Sequence, residues 1–200
     1  MKNKGYSAGA VKHSFWFMEF RKVVSLRNEK KTWGEIKRMN QEENIFGAPT
    51  VLRATQIYNT VSVRVKSLDD SFYQIFETCD LSTQKLFDLV ATMTNDVLFG
   101  EFVYEVVREK MIIGSNELAE SDIRIFFNNK QEQDETVAQW TDSTLKRLGA
   151  TYKSMLYEAG VTSKEKNVRT IYKPLPDPIM ERWMQEHGMT YQLKAITGVR

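Results

Sequence analysis

Apolar residues recur at intervals of three and four along most of this chain, the spacing that places side chains on one face of an α-helix. The pattern predicts a mainly α protein with a compact helical fold. Polar caps such as Thr32, Thr50 and Ser82 are expected to begin helices, while Gly100 and Gly160 are expected to end them. Helices are predicted over residues 12–26, 32–43, 50–67, 69–78, 82–98, 101–113, 121–131 and 135–159, the last interrupted by a turn at 141–143.

The pattern changes after residue 160. Residues 168–172 and 191–197 are β-prone and are predicted to form strands. Between them, Pro176 and Pro178 favour the opening of a short helix that runs to about Glu186. The two β-prone segments can pair as a short β-hairpin next to the last long helix.

Charge divides the chain into three blocks, although the formal net charge is only +2. Residues 1–66 contain 13 Lys and Arg against 5 Asp and Glu, a net charge of +8. Residues 67–135 contain 5 against 15, a net of −10, and residues 136–200 contain 10 against 6, a net of +4. Basic surfaces attract polyanions, nucleic acid first and anionic membrane second. Alternatively, the basic ends dock on the acidic centre within one fold.

The first basic block contains a candidate helix-turn-helix motif, made of helix 32–43, a turn around Gly47 and helix 50–67. An apolar stripe that includes Ala54 and Val61 suits packing on a core. The other face has the side chains of a recognition helix: arginine binds guanine or phosphate, Gln and Asn pair with adenine, and Thr donates to phosphate. The candidate DNA contacts are Thr50, Arg53, Gln56, Asn59, Thr60 and Arg64. The alternative is an amphipathic helix whose solvated face is basic.

A second candidate motif lies around residues 135–159. Leu145, Leu148, Tyr152 and Met155 are spaced to face inward, which leaves a polar face for DNA. The following β-prone segments could form the wing of a winged helix, where basic residues meet phosphates. The candidate contacts are Thr144, Lys146, Arg147, Thr151, Lys153 and, on the wing, Arg169. A solvated basic helix is again the alternative.

These features predict three regions in one globule. Residues 1–67 form an N-terminal basic helix-turn-helix region, and residues 68–134 an acidic helical core rich in apolar side chains. Residues 135–200 form a C-terminal helix-turn-helix region with the possible wing.

The sequence contains few residues of the types and spacings that catalytic and metal sites need. His13, His187 and Cys79 are far apart, and none has a ligand-spaced partner. Cys79 follows an aromatic-rich stretch, which favours a buried inert thiol. We therefore predict no catalytic residue, no metal site, no cofactor and no enzymatic activity.

Hydropathy and the cysteine count favour a cytoplasmic protein without a membrane segment. The longest apolar runs have three or four residues, whereas a bilayer span needs ~20. Lys12 and His13 interrupt any signal-peptide core. A single cysteine cannot form an internal disulfide, so a reducing compartment is expected.

Several polar strings resemble those of the BrxA family of bacteriophage-exclusion (BREX) defence systems. They are Tyr6-Ser7-Ala8-Gly9, Thr32-Trp33-Gly34-Glu35, Glu42-Glu43-Asn44, Thr50-x-x-Arg53, Asp122-Ile123-Arg124-Ile125-Phe126-Phe127 and Gln139-Trp140-Thr141-Asp142-Ser143-Thr144-x-Lys146-x-Leu148. The resemblance covers most of the chain. It implies a small, all-α, monomeric cytoplasmic protein that binds double-stranded DNA through two helix-turn-helix motifs. It also implies other BREX proteins as partners, including the DNA methyltransferase that carries out methyl transfer.

The combined prediction is a non-enzymatic component of a phage-defence system that binds double-stranded DNA. Two alternatives differ in mechanism. A protein–protein adaptor would dock other defence proteins through its acidic middle and touch DNA only incidentally. A transcriptional repressor would bind paired half-sites, usually as a symmetric dimer.

Overall fold

The computed structural model describes residues 5–200 and is mainly α, as predicted. A 3-10 helix spans Ala8–Lys12 and a π-helical turn spans Val103–Val107. The α-helices are α1 (Phe17–Asn28), α2 (Trp33–Glu43), α3 (Val51–Lys66), α4 (Phe72–Thr78), α5 (Leu81–Asn95), α6 (Val97–Phe102), α7 (Arg108–Ile112), α8 (Glu120–Gln133), α9 (Glu135–Ala138), α10 (Asp142–Glu158), α11 (Pro178–Glu186) and α12 (Thr190–Thr197). Two short strands, β1 (Glu117–Ala119) and β2 (Val168–Thr170), pair antiparallel.

Polar caps begin the two helices that carry the candidate contacts. The Thr50 hydroxyl accepts the backbone N–H of Arg53 at 3.1 Å at the start of α3. The Thr141 hydroxyl accepts the backbone N–H of Thr144 at 3.3 Å at the start of α10. Each cap satisfies an N–H group that has no partner within its helix. The predicted start of α3 is therefore confirmed, as is the end of α10 before Gly160, whose φ is +80°. Helix α10 itself starts at Asp142, inside the turn that was predicted over residues 141–143.

Two predicted boundaries in the acidic middle are wrong. Asp80, not Ser82, caps α5, and its carboxylate accepts the Thr83 N–H at 2.7 Å. Gly100 lies inside α6, and the boundary between the two helices α5 and α6 lies at Asp96 instead. Asp96 ends α5 and caps α6 by accepting the backbone N–H of residue 99 at 3.0 Å. A carboxylate can satisfy the free N–H groups of a new helix, whereas a glycine supplies no acceptor.

The predicted C-terminal hairpin is also wrong. Residues 191–197 belong to helix α12, and β2 pairs with β1, Glu117 opposite Thr170. A bridge between Thr162 and Ile171 closes the loop over residues 163–170, which is what remains of the predicted wing. Helix α12 packs against α5, α7 and the π-helical turn. These contacts override strand propensity, which is a weak local preference.

The first α-helix begins later than predicted. Residues 8–12 form the 3-10 helix, and α1 starts only at Phe17. Trp16 precedes α1 in the left-handed region with a φ of 54°. This conformation costs ~1–2 kcal/mol in an L-residue. Burial of the indole among core side chains holds Trp16 there and turns the preceding segment away from the axis of α1.

The acidic centre, residues 68–134, contributes buried side chains to the hydrophobic core. Its buried side chains include Phe87 and Phe102. The two ends of the chain pack on this centre: Phe15 from the N-terminal segment is fully buried, and the Trp183 ring lies 5.7 Å from that of Phe87. One continuous cluster therefore contains buried residues from all three charge blocks.

Candidate functional site

The polar faces of α3 and α10 line one groove of about 600 Å³. Arg53 and Gln56 enter it from α3, while Arg147 and Thr151 enter it from α10. About 90 residues separate the two pairs in sequence, and each pair was predicted separately. The structure thus brings together four of the twelve candidate DNA contacts.

On α3, Arg53 and Gln56 are held in place by their neighbours. The Arg53 guanidinium donates to the Gln56 side-chain oxygen at 2.8 Å and lies 4.8 Å from the centre of the Trp16 ring. The Gln56 amide donates to the Lys12 carbonyl at 2.9 Å. Both side chains are half-buried, and these contacts orient them along the groove.

On α10, the Arg147 side chain is less constrained by its neighbours than Arg53 is on α3. Arg147 is exposed, and no hydrogen bond or ion pair of its guanidinium is seen within residues 5–200. The Thr151 hydroxyl donates to the Arg147 carbonyl at 2.9 Å. Ser154 follows on the same face and donates to Glu158 at 3.2 Å. The guanidinium of Arg147 is therefore able to reach a ligand in the groove without first breaking an internal ion pair.

The floor of the groove is the N-terminal segment, by which we mean Lys12 to Phe15. Arg64 holds this segment in place. The Arg64 side chain donates to the Phe15 carbonyl and, at 3.1 Å, to the Ser14 carbonyl. It also lies 3.4 Å from the Asp88 carboxylate. Only 3% of Arg64 is exposed. The structure therefore corrects the prediction for Arg64: the N-terminal segment covers its face of α3, so it cannot contact DNA.

His13 lies near several cations at this floor. Burial lowers the pKa of His13 from its ordinary value, and the charges of Arg64, Lys12 and Arg53 lower it further. The His13 Nδ1 lies 3.1 Å from the Thr60 hydroxyl oxygen. Cations oppose the protonation of a nearby imidazole. The same cations attract an anion to the groove.

A second cleft of about 600 Å³ adjoins the groove on the other side of the N-terminal segment. Asn59 and Thr60 of α3 line it, together with His13, which lines both spaces. These two predicted contacts therefore lie next to the groove but not in it.

Lys146 and Lys153 lie on another side of α10 from Arg147. They line a cleft of about 460 Å³ between α8 and α10, whose apolar side chains include Phe127. Lys153 forms an ion pair with Glu120. The sequence grouped both lysines with Arg147, but the structure separates them from the groove.

The remaining predicted contacts, Thr50, Thr144 and Arg169, make hydrogen bonds within the protein. Thr50 is the cap of α3, and the Thr144 hydroxyl lies 3.1 Å from that of Thr141. Arg169 donates to the Lys153 carbonyl and, at 3.0 Å, to the Glu165 carbonyl. None of the three lines the groove.

Sequence reasoning missed the N-terminal part of this site. Lys12 and His13 line the groove, and Trp16 supports Arg53. The only local signal was a lysine and a histidine directly before a buried aromatic run. That signal does not indicate that the N-terminal segment lies between α3 and α10, which are far apart in sequence.

Cys79 is buried, and its burial raises the pKa of the thiol to about 11, which disfavours the reactive thiolate. Residues 5–200 contain no group of three or more His, Cys, Asp or Glu placed to hold a metal ion. In the same part of the chain, no helix has the length and apolarity needed to cross a bilayer.

A family model and a curated relative indicate the same family. The family model for BrxA matches residues 4–188. A BREX protein BrxA from Bacillus cereus (strain H3081.97) is 36% identical over 175 residues, which cover 88% of each chain. The crystal structure of an uncharacterized protein from Magnetospirillum magneticum has the same fold, with a TM-score of 0.81 over 97% of this chain and 99% of that one, at 18% identity. The chain therefore belongs to the BrxA family of bacteriophage-exclusion defence systems.

Proposed function

We propose that this protein is the non-enzymatic DNA-binding component of its BREX system, and that it contacts duplex DNA at the groove between α3 and α10. In this proposal α2–α3 and α9–α10 act as helix-turn-helix units. A sugar–phosphate backbone lies along the groove, and the duplex extends across its mouth.

The observation that carries this proposal is the convergence of cations from three separate segments. Lys12, Arg53 and Arg147 line one groove. The pKa of His13 is lowered chiefly by burial, and the charges of Lys12 and Arg53 add to that shift. Arginine binds phosphate or guanine through two parallel hydrogen bonds. Gln56 and Thr151 add an amide and a hydroxyl of the kind that contacts nucleic acid.

Membership of a BREX system makes other BREX proteins the partners of this chain. We propose that the DNA methyltransferase is one of them and performs the chemistry, while this protein supplies DNA contact as a cytoplasmic monomer. The inert setting of Cys79 supports a role without catalysis. A transcriptional repressor would instead be a symmetric dimer, so a monomer in light scattering, both free and with DNA, contradicts that alternative.

Salt dependence tests the interface directly. If the three groove cations neutralise three phosphates, the logarithm of affinity should fall with the logarithm of salt concentration at a slope of about −2.7. Anisotropy titrations of labelled duplexes at several salt concentrations measure this slope. A slope of about −4.5 indicates that a second basic surface also binds. A slope near zero means that the basic ends serve only to dock on the acidic centre, and rejects the proposal.

Proton linkage gives a second test. When phosphates neutralise the cations around His13, its pKa should rise, so DNA binding takes up a proton. Because the pKa of His13 lies below its ordinary value of about 6.5 in the free protein, we expect duplex affinity to increase as pH falls through about 6.5 and below, by at most ~10-fold per pH unit. In His13→Asn this dependence should largely disappear, because asparagine keeps an acceptor near Thr60 but does not titrate. His187→Asn is the control, and an unchanged pH profile in His13→Asn contradicts the placement of DNA at this groove.

A further inference from the structure

A smaller groove lies between α8 and the π-helical turn with α7, and it shares no residue with the groove between α3 and α10. Its volume is about 250 Å³, and it is lined by the apolar side chains of Val106 and Phe126. Ile113 and Ile125 also line it, and they are 73% and 55% exposed. The groove thus combines a hydrophobic depression with two large apolar side chains that remain in water.

Around this groove the acidic side chains are exposed, and the basic side chains that pair with them are buried. Glu105 and Glu109 line it, and their side chains are 46% and 53% exposed. Their cationic partners lie underneath: Lys130 is 2.7 Å from Glu105, and Arg108 pairs with Glu109, but these basic side chains are only 5% and 9% exposed. Lys130 is also shared with Glu101, at 2.7 Å. Because the carboxylates face solvent and the cations do not, an approaching partner meets negative charge.

The groove is also lined by a third carboxylate, Asp122, and by Lys110, and this pair leaves the sign unchanged. Asp122 lies 2.9 Å from Lys110, so the two charges compensate each other. Asp122 also accepts the backbone N–H of Ala119 at 2.8 Å at the start of α8. These contacts fix the end of the groove, while Glu105 and Glu109 supply its outward charge.

We propose that this groove docks a basic amphipathic helix of a partner protein. The apolar face of that helix covers Ile113 and Ile125 and places a side chain between them, and its lysines or arginines meet Glu105 and Glu109. Amphipathic helices bind other proteins in this way, through apolar anchors one turn apart, while complementary charge selects the partner. The cavity is smaller than the ~300–1,000 Å³ typical of small-molecule sites, and its outward negative charge repels DNA.

A designed peptide tests the surface while the natural partner is unidentified. The probe is a fluorescein-labelled helix of about 14 residues, roughly four turns, with leucines on one face and lysines on the other. A second peptide has glutamate in place of lysine, and a third has the same leucines and lysines in an order without an apolar face. We expect saturable binding to the full-length protein by the basic amphipathic probe, and at least tenfold weaker binding by the other two.

Two variants locate the binding on this groove. Ile113→Ser with Ile125→Ser removes the apolar anchors, and Glu105→Gln with Glu109→Gln removes the outward charge while keeping hydrogen-bonding side chains. Each pair of changes should weaken probe binding at least tenfold, and thermal unfolding should show that the fold is retained. The matched controls are Leu175→Ser, an 85% exposed leucine elsewhere, and Glu42→Gln with Glu43→Gln, two exposed glutamates on α2.

The outcomes are distinct. Equal binding of the probe to the parent and to both groove variants overturns the proposal, because attraction would then come from overall charge. Equal binding of the acidic peptide overturns the proposal as well. Self-association of the protein that the isoleucine changes abolish also overturns it, because the occupant of the groove would then be a second copy of this chain. The proposal does not rest on DNA binding: both groove variants should keep the duplex affinity of the parent.

Discussion

Replacing Arg53 and Arg147 together with alanine is expected to weaken duplex DNA binding by at least a hundredfold, about 3 kcal/mol. The two guanidinium groups line opposite walls of the groove, one from α3 and one from α10. Loss of an arginine contact to a base costs ~1–3 kcal/mol, and a phosphate contact also lowers the salt slope by about one unit. The double variant should therefore lose both affinity and most of the salt dependence.

The fold should survive this double substitution. Arg147 is exposed, and truncating an exposed side chain usually changes stability by less than ~0.5 kcal/mol. Arg53 also lies over the Trp16 ring, a contact worth ~0.5–1 kcal/mol at a partly exposed site. Circular dichroism and thermal unfolding of the variant check that weaker binding does not reflect unfolding.

A variant with the same loss of charge separates contact from general attraction. Arg21 and Arg38 are exposed on α1 and α2 and do not line the groove. Arg21→Ala with Arg38→Ala should reduce affinity only a few-fold. Lys146→Ala should also have a small effect, because this lysine lies in the cleft towards α8. If the Arg53 and Arg147 double variant binds duplex DNA like the parent, DNA does not lie at this groove.

Replacing Arg64 with alanine is expected to lower the free energy of unfolding by about 3–5 kcal/mol. The substitution leaves the carboxylate of Asp88 in the interior without its cation and removes the donors that bind the Ser14 and Phe15 carbonyls. Domains of this size are stable by only ~5–15 kcal/mol. A decrease of this size is therefore readily measured by urea unfolding, with Arg21→Ala as the exposed control within ~0.5 kcal/mol.

Asp88 gives this buried pair a characteristic pH dependence. Burial raises the pKa of Asp88 to about 7, although the charge of Arg64 opposes the shift. In the unfolded chain the pKa of an aspartate is about 3.9, so the folded state binds the additional proton between these values. Stability supplied by this group is therefore complete at about pH 4 and is lost as pH rises towards about 7. Asp88→Asn should remove that slope, and an unchanged slope contradicts the assignment.

The loss of Arg64 should also affect the groove. Its guanidinium holds the segment that forms the floor and carries Lys12 and His13. We expect Arg64→Ala to bind DNA less tightly even at temperatures at which it remains folded. Arg64 is therefore important because it positions this segment, and not because it contacts a ligand itself.

Much of the local structure of this protein was predictable from its residues alone. The period of apolar residues predicted the helices, and Thr50 caps α3 as expected. The polar faces with Arg53 and Arg147 were also identifiable, since side-chain spacing on a helix follows from its 3.6-residue turn. These properties depend on residues within one or two helical turns of each other, which can be identified in the sequence.

Which polar groups meet and which are buried follows instead from the packing of the whole chain. Arg64 lies on the polar face of α3 by spacing, but carbonyl groups about 50 residues away enclose it. Residues 191–197 have β-prone side chains, yet packing against α5 and α7 makes them a helix. Arg53 and Arg147 share a groove because their two helices pack on either side of the N-terminal segment. Burial and pairing between distant segments depend on the whole core, and no local pattern records them.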